Sequence, residues 1–255
     1  MLWPMSWDLP AGVHAVCTTR VGGMSQAPFD SFNLGDHVHD EPQAVTTNRA
    51  LLQTQLDGAR PVFLTQVHGA DVVALNATTP DGTVADACLT QDAQVACTIM
   101  VADCLPLLFT DDDGLVVAAA HAGWRGLAGG VVEHTVQAVC AKANTQPSRV
   151  RVWMGPCIGP EAFEVGDEVR AAFINDVASE SSTLRSCFKP HPTHAHKWLA
   201  DLAGLARQRL QSLGVTSIAG NDSTAAWCTV SQPSKLFSYR RDGVTGRFAA
   251  CIWRS

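Results

Sequence analysis

The chain is 255 residues long, 46% hydrophobic and only 16% charged, which excludes a disordered polypeptide and leaves ample length to bury a core in one large domain or two small ones. Lys and Arg number 18 against 24 Asp and Glu, a net charge of −6 with no basic block, so neither a nucleic acid nor an anionic membrane is expected as partner. No apolar run reaches the roughly 18 residues of a membrane span; Met1–Asp8 lacks a basic leader and is broken by Pro4; and the nine cysteines form no C-x-x-C pair, so reduced thiols and a cytoplasmic location are expected.

Taken in chain order, the pattern predicts a strand over His14–Thr19, then a helix starting at Asp40 as N-cap, with Pro42 in its first turn and Val45, Leu51, Leu52 and Leu56 on its apolar face. Strands follow at Val62–Gln66, Val72–Leu75, Val95–Val101, Leu105–Thr110 and Leu115–Ala120. A helix over Ala128–Ala143 carries Val131, Val132, Val136 and Val139 at helical spacing, and a strand at Val150–Met154 precedes a helix over Glu164–Val177. Ser179–His196, with two prolines and three histidines, reads as a loop that is either solvated or able to catch a metal. The last elements are a helix over Trp198–Leu213 stopped by Gly214, and strands at Val215–Ala219 and Phe248–Trp253. With no repeat or linker, the expectation is a single domain over residues 1–255, of α+β class, with mixed β-sheets flanked by helices.

The common signatures of dinucleotide, P-loop, zincin, α/β-hydrolase and cytidine-deaminase sites are missing. What stands out is three strand ends that each lead into a turn: Gln66–Gly69 (QVHG), Ala102–Pro106 (ADCLP) and His121–Gly126 (HAGWRG). If these strands run side by side, His68, Cys104 and His121 meet in one cleft. Two imidazoles and a thiolate make a three-ligand zinc set with its fourth position open, as catalytic sites have. Each residue alone has an ordinary reading, as a turn histidine or a buried thiol. The same atoms also allow a metal-free alternative, with Cys104 as nucleophile, His121 as base, and His68 or Asp103 orienting the imidazole.

Around this centre, Arg20 in the turn TTRVGG and Arg125 in HAGWRG could hold an oxyanion or simply cap their turns. Asp103 could orient a ligand, move a proton or cap a turn. Gly155–Pro160 reads as loop geometry. The segment Phe237–Gly243 either reaches the cleft or closes a surface hairpin through an Arg240–Asp242 pair.

The run of motifs from Thr18–Phe29 (TTRVGGMSQAPF) and Ser31–Gly35 (SFNLG) through QVHG, ADCLP and HAGWRG to Gly155–Gly159 (GPCIG), Cys228-Thr229 and Phe237–Arg241 (FSYRR) resembles the YfiH family over nearly the whole chain. That family carries two labels, multicopper polyphenol oxidase or laccase domain and zinc-dependent purine nucleoside phosphorylase. The resemblance implies His68, Cys104 and His121 as zinc ligands. It implies phosphorolysis of adenosine, inosine, guanosine and S-methyl-5′-thioadenosine to free base and pentose 1-phosphate, with an accompanying adenosine deaminase activity. Asp103, Arg125 and Arg20 are then the candidate catalytic and phosphate-holding residues. The resemblance also implies a fold similar to a bacterial deamidating toxin of cysteine-hydrolase type. This keeps open a Cys104-based hydrolase that edits peptidoglycan precursors, and beside it a non-catalytic nucleotide sensor. Blue-copper oxidase chemistry asks for many more placed histidines than two.

Overall fold

Three runs that read as strands, VACTIMV, LPLLFTD and VAAAHA, are buried at every position, as strands covered on both faces must be. The computed structural model describes residues 1–174 and 182–255. In chain order these form β1 (Val13–Cys17), α1 (Pro42–Thr54), β2 (Arg60–Phe63), β3 (Val72–Ala74), β4 (Ala87–Thr90), β5 (Val95–Val101), β6 (Leu105–Asp111) and β7 (Val117–Ala122). Then come α2 (Trp124–Ala128), α3 (Val131–Ala143), β8 (Val150–Met154), β9 (Glu164–Gly166), α4 (Asp167–Phe173) and α5 (Ser182–Ser186). The remainder is β10 (Phe188–Pro190), β11 (Lys197–Ala200), α6 (Leu202–Ser212), β12 (Ser217–Gly220), α7 (Tyr239–Asp242) and β13 (Phe248–Arg254).

Two mixed sheets stack face to face. One has the order β1-β13-β5-β2, the other β12-β8-β6-β7-β4-β3, and a small third sheet, β10-β11-β9, stands beside them. The alternation of side chains assigns each strand face to a layer. Cys97, Ile99 and Val101 of β5 and Ala250 and Ile252 of β13 pack with Leu108, Val117 and Ala119 of the larger sheet, forming the core between the sheets. The alternate residues Ala96, Met100, Ala249, Cys251 and Trp253 turn outward onto Leu52 and Leu56, on α1 and just beyond it. On the far side of the larger sheet, Leu105, Leu107, Phe109, Ala118 and Ala120 meet Val132, Val136 and Val139 of α3 and Leu205 and Leu210 of α6. The order of layers is therefore helix, sheet, sheet, helices. The central strand β7 is nearly all alanine, a poor strand former on its own; both of its faces are packed, so tertiary burial overrides local preference. None of the described helices is long and apolar enough to cross a membrane.

The expected mixture of sheets and flanking helices is present, with several corrections to its parts. Helix α1 takes Glu41 as N-cap, because Asp40 turns its carboxylate to the Asn33 amide at 2.9 Å and to the Glu41 N–H at 2.8 Å. The expected helix from Ala128 is two helices broken at Gly129–Gly130, and Arg125 lies on the first of them. Glu164–Gly166 is extended because it pairs with β11, so the third helix begins only at Asp167. Its expected end at Val177, and the first part of the expected loop from Ser179, lie outside the described residues. The rest of that loop holds α5 and β10. Trp198–Ala200 belongs to a strand, and α6 starts after Asp201, whose carboxylate accepts the Gly204 N–H at 2.8 Å. The strand expected over Leu115–Ala120 runs two residues later, which puts His121 inside β7, and β4 had no counterpart in the sequence reading.

Candidate metal centre

His68, Cys104 and His121 do meet, and the topology explains how. Cys104 ends the three-residue connection from β5 to β6, and His68 lies on the connection from β2 to β3. In both cases the chain passes from the smaller sheet to the larger one. His121 stands near the end of β7, opposite Pro106 of β6. The three residues therefore come from both sheets, at one edge of the seam between them, and not from neighbouring strands of a single sheet.

One donor atom from each residue lies within 4.8 Å of the others. Cys104 Sγ is 3.8 Å from His68 Nε2, and the two imidazole rings meet edge to face with centroids 4.8 Å apart. Room for this cluster depends on Gly123, where a Cβ would stand 2.8 Å from His68 Cδ2 and 3.0 Å from Cys104 Sγ. His68 itself has φ of 61° and Asp103 φ of 99°, left-handed conformations that a non-glycine residue adopts only where its surroundings hold it.

Asp86 does the holding at His68, and the sequence reading had passed over it. It lies just before β4, whose Ala87 faces Ala120 of β7, so register sets Asp86 opposite His121. The Asp86 backbone carbonyl accepts the His121 N–H at 2.7 Å, and its carboxylate Oδ1 is 2.8 Å from His121 Nδ1. The same fully buried carboxylate accepts the N–H groups of Val67, His68 and Gly69 at 3.1, 2.9 and 2.6 Å. Burial pushes the Asp86 carboxyl up, but the His121 hydrogen bond, then backbone donation from Gly69, outweigh it and hold the group below its ordinary value. With Nδ1–H donated to Asp86, His121 keeps the lone pair of Nε2 free for a metal, the usual carboxylate–histidine arrangement behind zinc.

Without metal, the pair Cys104 and His121 polarise each other. Burial pushes the Cys104 thiol up, yet the charge and hydrogen bond of His121, with help from His68, pull it down to about 6. Burial likewise lowers His121, and the Cys104 charge together with the Asp86 hydrogen bond raise it to about 9. A thiolate, two imidazoles and a carboxylate behind one of them are the donor set of a catalytic zinc site, so the residues present fit that ion.

A cleft of about 650 Å³ opens onto the triad, and its walls include Arg125, Arg240, Arg247, Phe163, Trp124 and Tyr239, a size suited to a small-molecule ligand. Asp103 lines it too, but its carboxylate is already committed: Oδ1 accepts the Thr229 hydroxyl and Oδ2 accepts the Arg240 backbone N–H at 2.6 Å. It ties α7 to the cleft floor. Through this tie the segment Phe237–Gly243 reaches the cleft, and the acidic partner of its ion pair is taken by Arg241, at 2.6 Å from Asp242, in place of Arg240. Arg240 donates instead to the carbonyls of Ala162 and Glu164 at 3.3 and 3.0 Å. Arg125 is exposed on α2 with its guanidinium 4.4 Å from the Trp124 ring centre, and among the described residues its side chain has no hydrogen-bond partner. Arg20 is not brought to the cleft. It lines a separate depression, bonded to the Asp30 carbonyl at 2.8 Å, the Pro233 carbonyl at 3.1 Å and the Asp30 carboxylate at 3.3 Å.

The model of a family described as multi-copper polyphenol oxidoreductase laccase matches residues 14–255. A purine nucleoside phosphorylase of Pseudomonas aeruginosa is 48% identical over 97% of this chain and 96% of its own length. The purine nucleoside phosphorylase YfiH of Escherichia coli is 46% identical over the same shares. Among solved structures, a Neisseria meningitidis protein superposes with a TM-score of 0.88 at 42% identity, covering 100% of this chain and 99% of its own, and YlmD of Geobacillus stearothermophilus with 0.85 at 33%, covering 96% and 92%. The chain belongs to this laccase-labelled family, the YfiH family that its motifs resemble.

Proposed function

We propose that this family member is a zinc-dependent purine nucleoside phosphorylase of the cytoplasm. Its substrates would be adenosine, inosine, guanosine and S-methyl-5′-thioadenosine, and it would also deaminate adenosine. The observation that carries this reading is the convergence of His68, Cys104 and His121, with Asp86 behind His121, on the floor of a ligand-sized cleft. The names of the two bacterial relatives support the substrate class. Zinc held by His68, Cys104 and His121 would supply a Lewis acid with an open position. Among the described residues, the two clusters able to hold a metal contain two histidines each, too few for a coupled blue-copper and trinuclear centre.

The chain's own residues then have separable tasks. In phosphorolysis a phosphate oxygen attacks C1′ while the bond from C1′ to the base nitrogen breaks, and its electron pair leaves with the base. Arg125, whose side chain has no competing hydrogen bond among the described residues, and Arg247, whose side chain there bonds only backbone carbonyls next to it at 3.1 Å, would hold the phosphate dianion. Phe163 and Trp124 offer flat apolar surface for a base. Asp103 serves as a positioning residue that fixes the backbone of Arg240. Three arginines against two aspartates, Asp36 and Asp103, give the cleft lining a positive balance within a chain of net charge −6.

The test is metal analysis of the purified protein combined with an adenosine assay, with and without phosphate. About one zinc bound through Cys104, phosphate-dependent release of adenine, and phosphate-independent conversion of adenosine to inosine are expected; Arg125→Ala should raise KM for phosphate about tenfold or more by removing one charge-assisted contact. An active, metal-free protein would overturn the zinc reading. The lowered Cys104 thiol beside His121 favours, as second reading, the Cys104-based hydrolase of peptidoglycan precursors. Under that reading activity survives chelators and is lost on alkylation of Cys104.

A further inference from the structure

The three histidines of the 191–196 segment take no part in the cleft, yet two of them are placed with care. β10 and β11 form a hairpin, and β9 pairs with β11 on its other side, which brings Glu164 beside the hairpin's turn. The turn is closed by its own hydrogen bonds. His191 N–H donates to the Lys197 carbonyl at 2.8 Å, Lys197 N–H to the His194 carbonyl at 3.3 Å, and His194 N–H to His191 Nδ1 at 3.1 Å. This stacks the His191 and His194 rings, 4.3 Å apart and 5° from parallel. Both aim a nitrogen at one oxygen, Glu164 Oε2: His194 Nδ1 from 2.6 Å and His191 Nε2 from 3.2 Å.

We propose that Glu164, His191 and His194 form a second, solvent-open site for a divalent transition cation of the zinc class. The donor atoms lie within 4.8 Å of one another, and a tetrahedral ion with bonds near 2.0–2.1 Å needs neighbouring donors roughly 3.3 Å apart. A small opening of the His194 contact meets that spacing. Two imidazole nitrogens and one carboxylate oxygen suit zinc and its neighbours. The side chains are graded in exposure, His191 at 16%, Glu164 at 32% and His194 at 59%, so water can complete the coordination. Binding through these nitrogens moves each ring's proton to its other nitrogen. On His191 that proton would meet Thr193 Oγ1, 3.4 Å from Nδ1, in exchange for the two backbone N–H contacts that Nδ1 accepts from Thr193 and His194. The site abuts the cleft wall, because the Glu164 carbonyl accepts from Arg240 at 3.0 Å.

Equilibrium dialysis of the full chain against zinc tests this. The unsubstituted protein should take up one zinc more than the double variant His191→Ala/His194→Ala, and Glu164→Gln should weaken that ion at least tenfold. Cys104→Ser should keep it, so a failure of the Cys104 centre and a failure of this site give different results. In the unsubstituted chain, which removes any question of folding, zinc should shift the imidazole resonances of His191 and His194. If the double variant binds as much zinc as the unsubstituted chain, or only His68 and His121 respond, the proposal is overturned.

Discussion

His68, Cys104 and His121 project from a seam between two sheets, with Asp86 bonded to both His68 and His121, whereas His191 and His194 sit on the open turn of a small sheet, with Glu164 on its strand β9 beside them. In the first group a fully buried carboxylate ties down four donors, three of them backbone N–H groups. In the second the carboxylate is itself the third donor and lies 32% exposed. The difference teaches what burial adds to the same chemistry. At the seam, closed to water, the charges and hydrogen bonds that Cys104, His121 and their neighbours exchange outweigh the burial that opposes them and bring Cys104 to about 6 and His121 to about 9. On the open turn water screens the charges and the geometry is free to adapt.

The sharpest way to break this comparison is Cys104→Ser, which should abolish tight zinc retention and phosphate-dependent adenine release together while leaving the exposed site titratable; elemental analysis and the assay read both. Asp86→Asn comes next. It keeps the shape but turns one oxygen into a donor facing donors, so zinc affinity at the seam should fall about 10- to 100-fold, with about 1–3 kcal/mol lost in denaturant unfolding. No change in zinc affinity would mean that His121 needs no orienting partner. Third, in the chelated protein the alkylation rate of Cys104 should fall about tenfold per pH unit below about 6 and level off above it. The sign follows from the neighbours: positive His121 favours the thiolate, so His121→Gln should move the midpoint upward. Cys17, Cys97 and Cys157, whose thiols burial pushes well up, should stay unmodified under the same conditions. The smallest effect belongs to Arg20→Gln, expected to leave KM for phosphate within about twofold and to cost only stability, because its guanidinium spends its bonds on Asp30 and Pro233.

Much of the centre was legible because its signal is local. A metal-capable residue directly after a strand and before a turn is visible one segment at a time, and three such segments picked out His68, Cys104 and His121. Asp86 was not legible in this way. Its role exists only through the register of β4 against β7, and β4 itself, four buried residues with a single threonine, carries no alternation to betray it. The small sheet escaped for a related reason: β9 and β10 are three residues each, one contains Pro190, and β9 finds its partner β11 only about 30 positions further on. For Arg20, read as either an oxyanion holder or a turn cap in TTRVGG, the bonds to Asp30, ten residues on, and to Pro233 favour the second, and the distant Pro233 leaves no local signal.

The two connections that carry His68 and Cys104 are both places where the chain steps from the four-stranded sheet to the six-stranded one. An ion gripped there would staple the sandwich along one edge. Among the described residues no disulfide is formed, so this would be a covalent-like tie in a fold otherwise held by packing, hydrogen bonds and ion pairs. Holding the reagent and holding the halves together would then draw on the same bonds, and withdrawing the ion should let that edge breathe: amide exchange in β2 and in the turn after β5 should quicken first, well before the helices on either outer face respond.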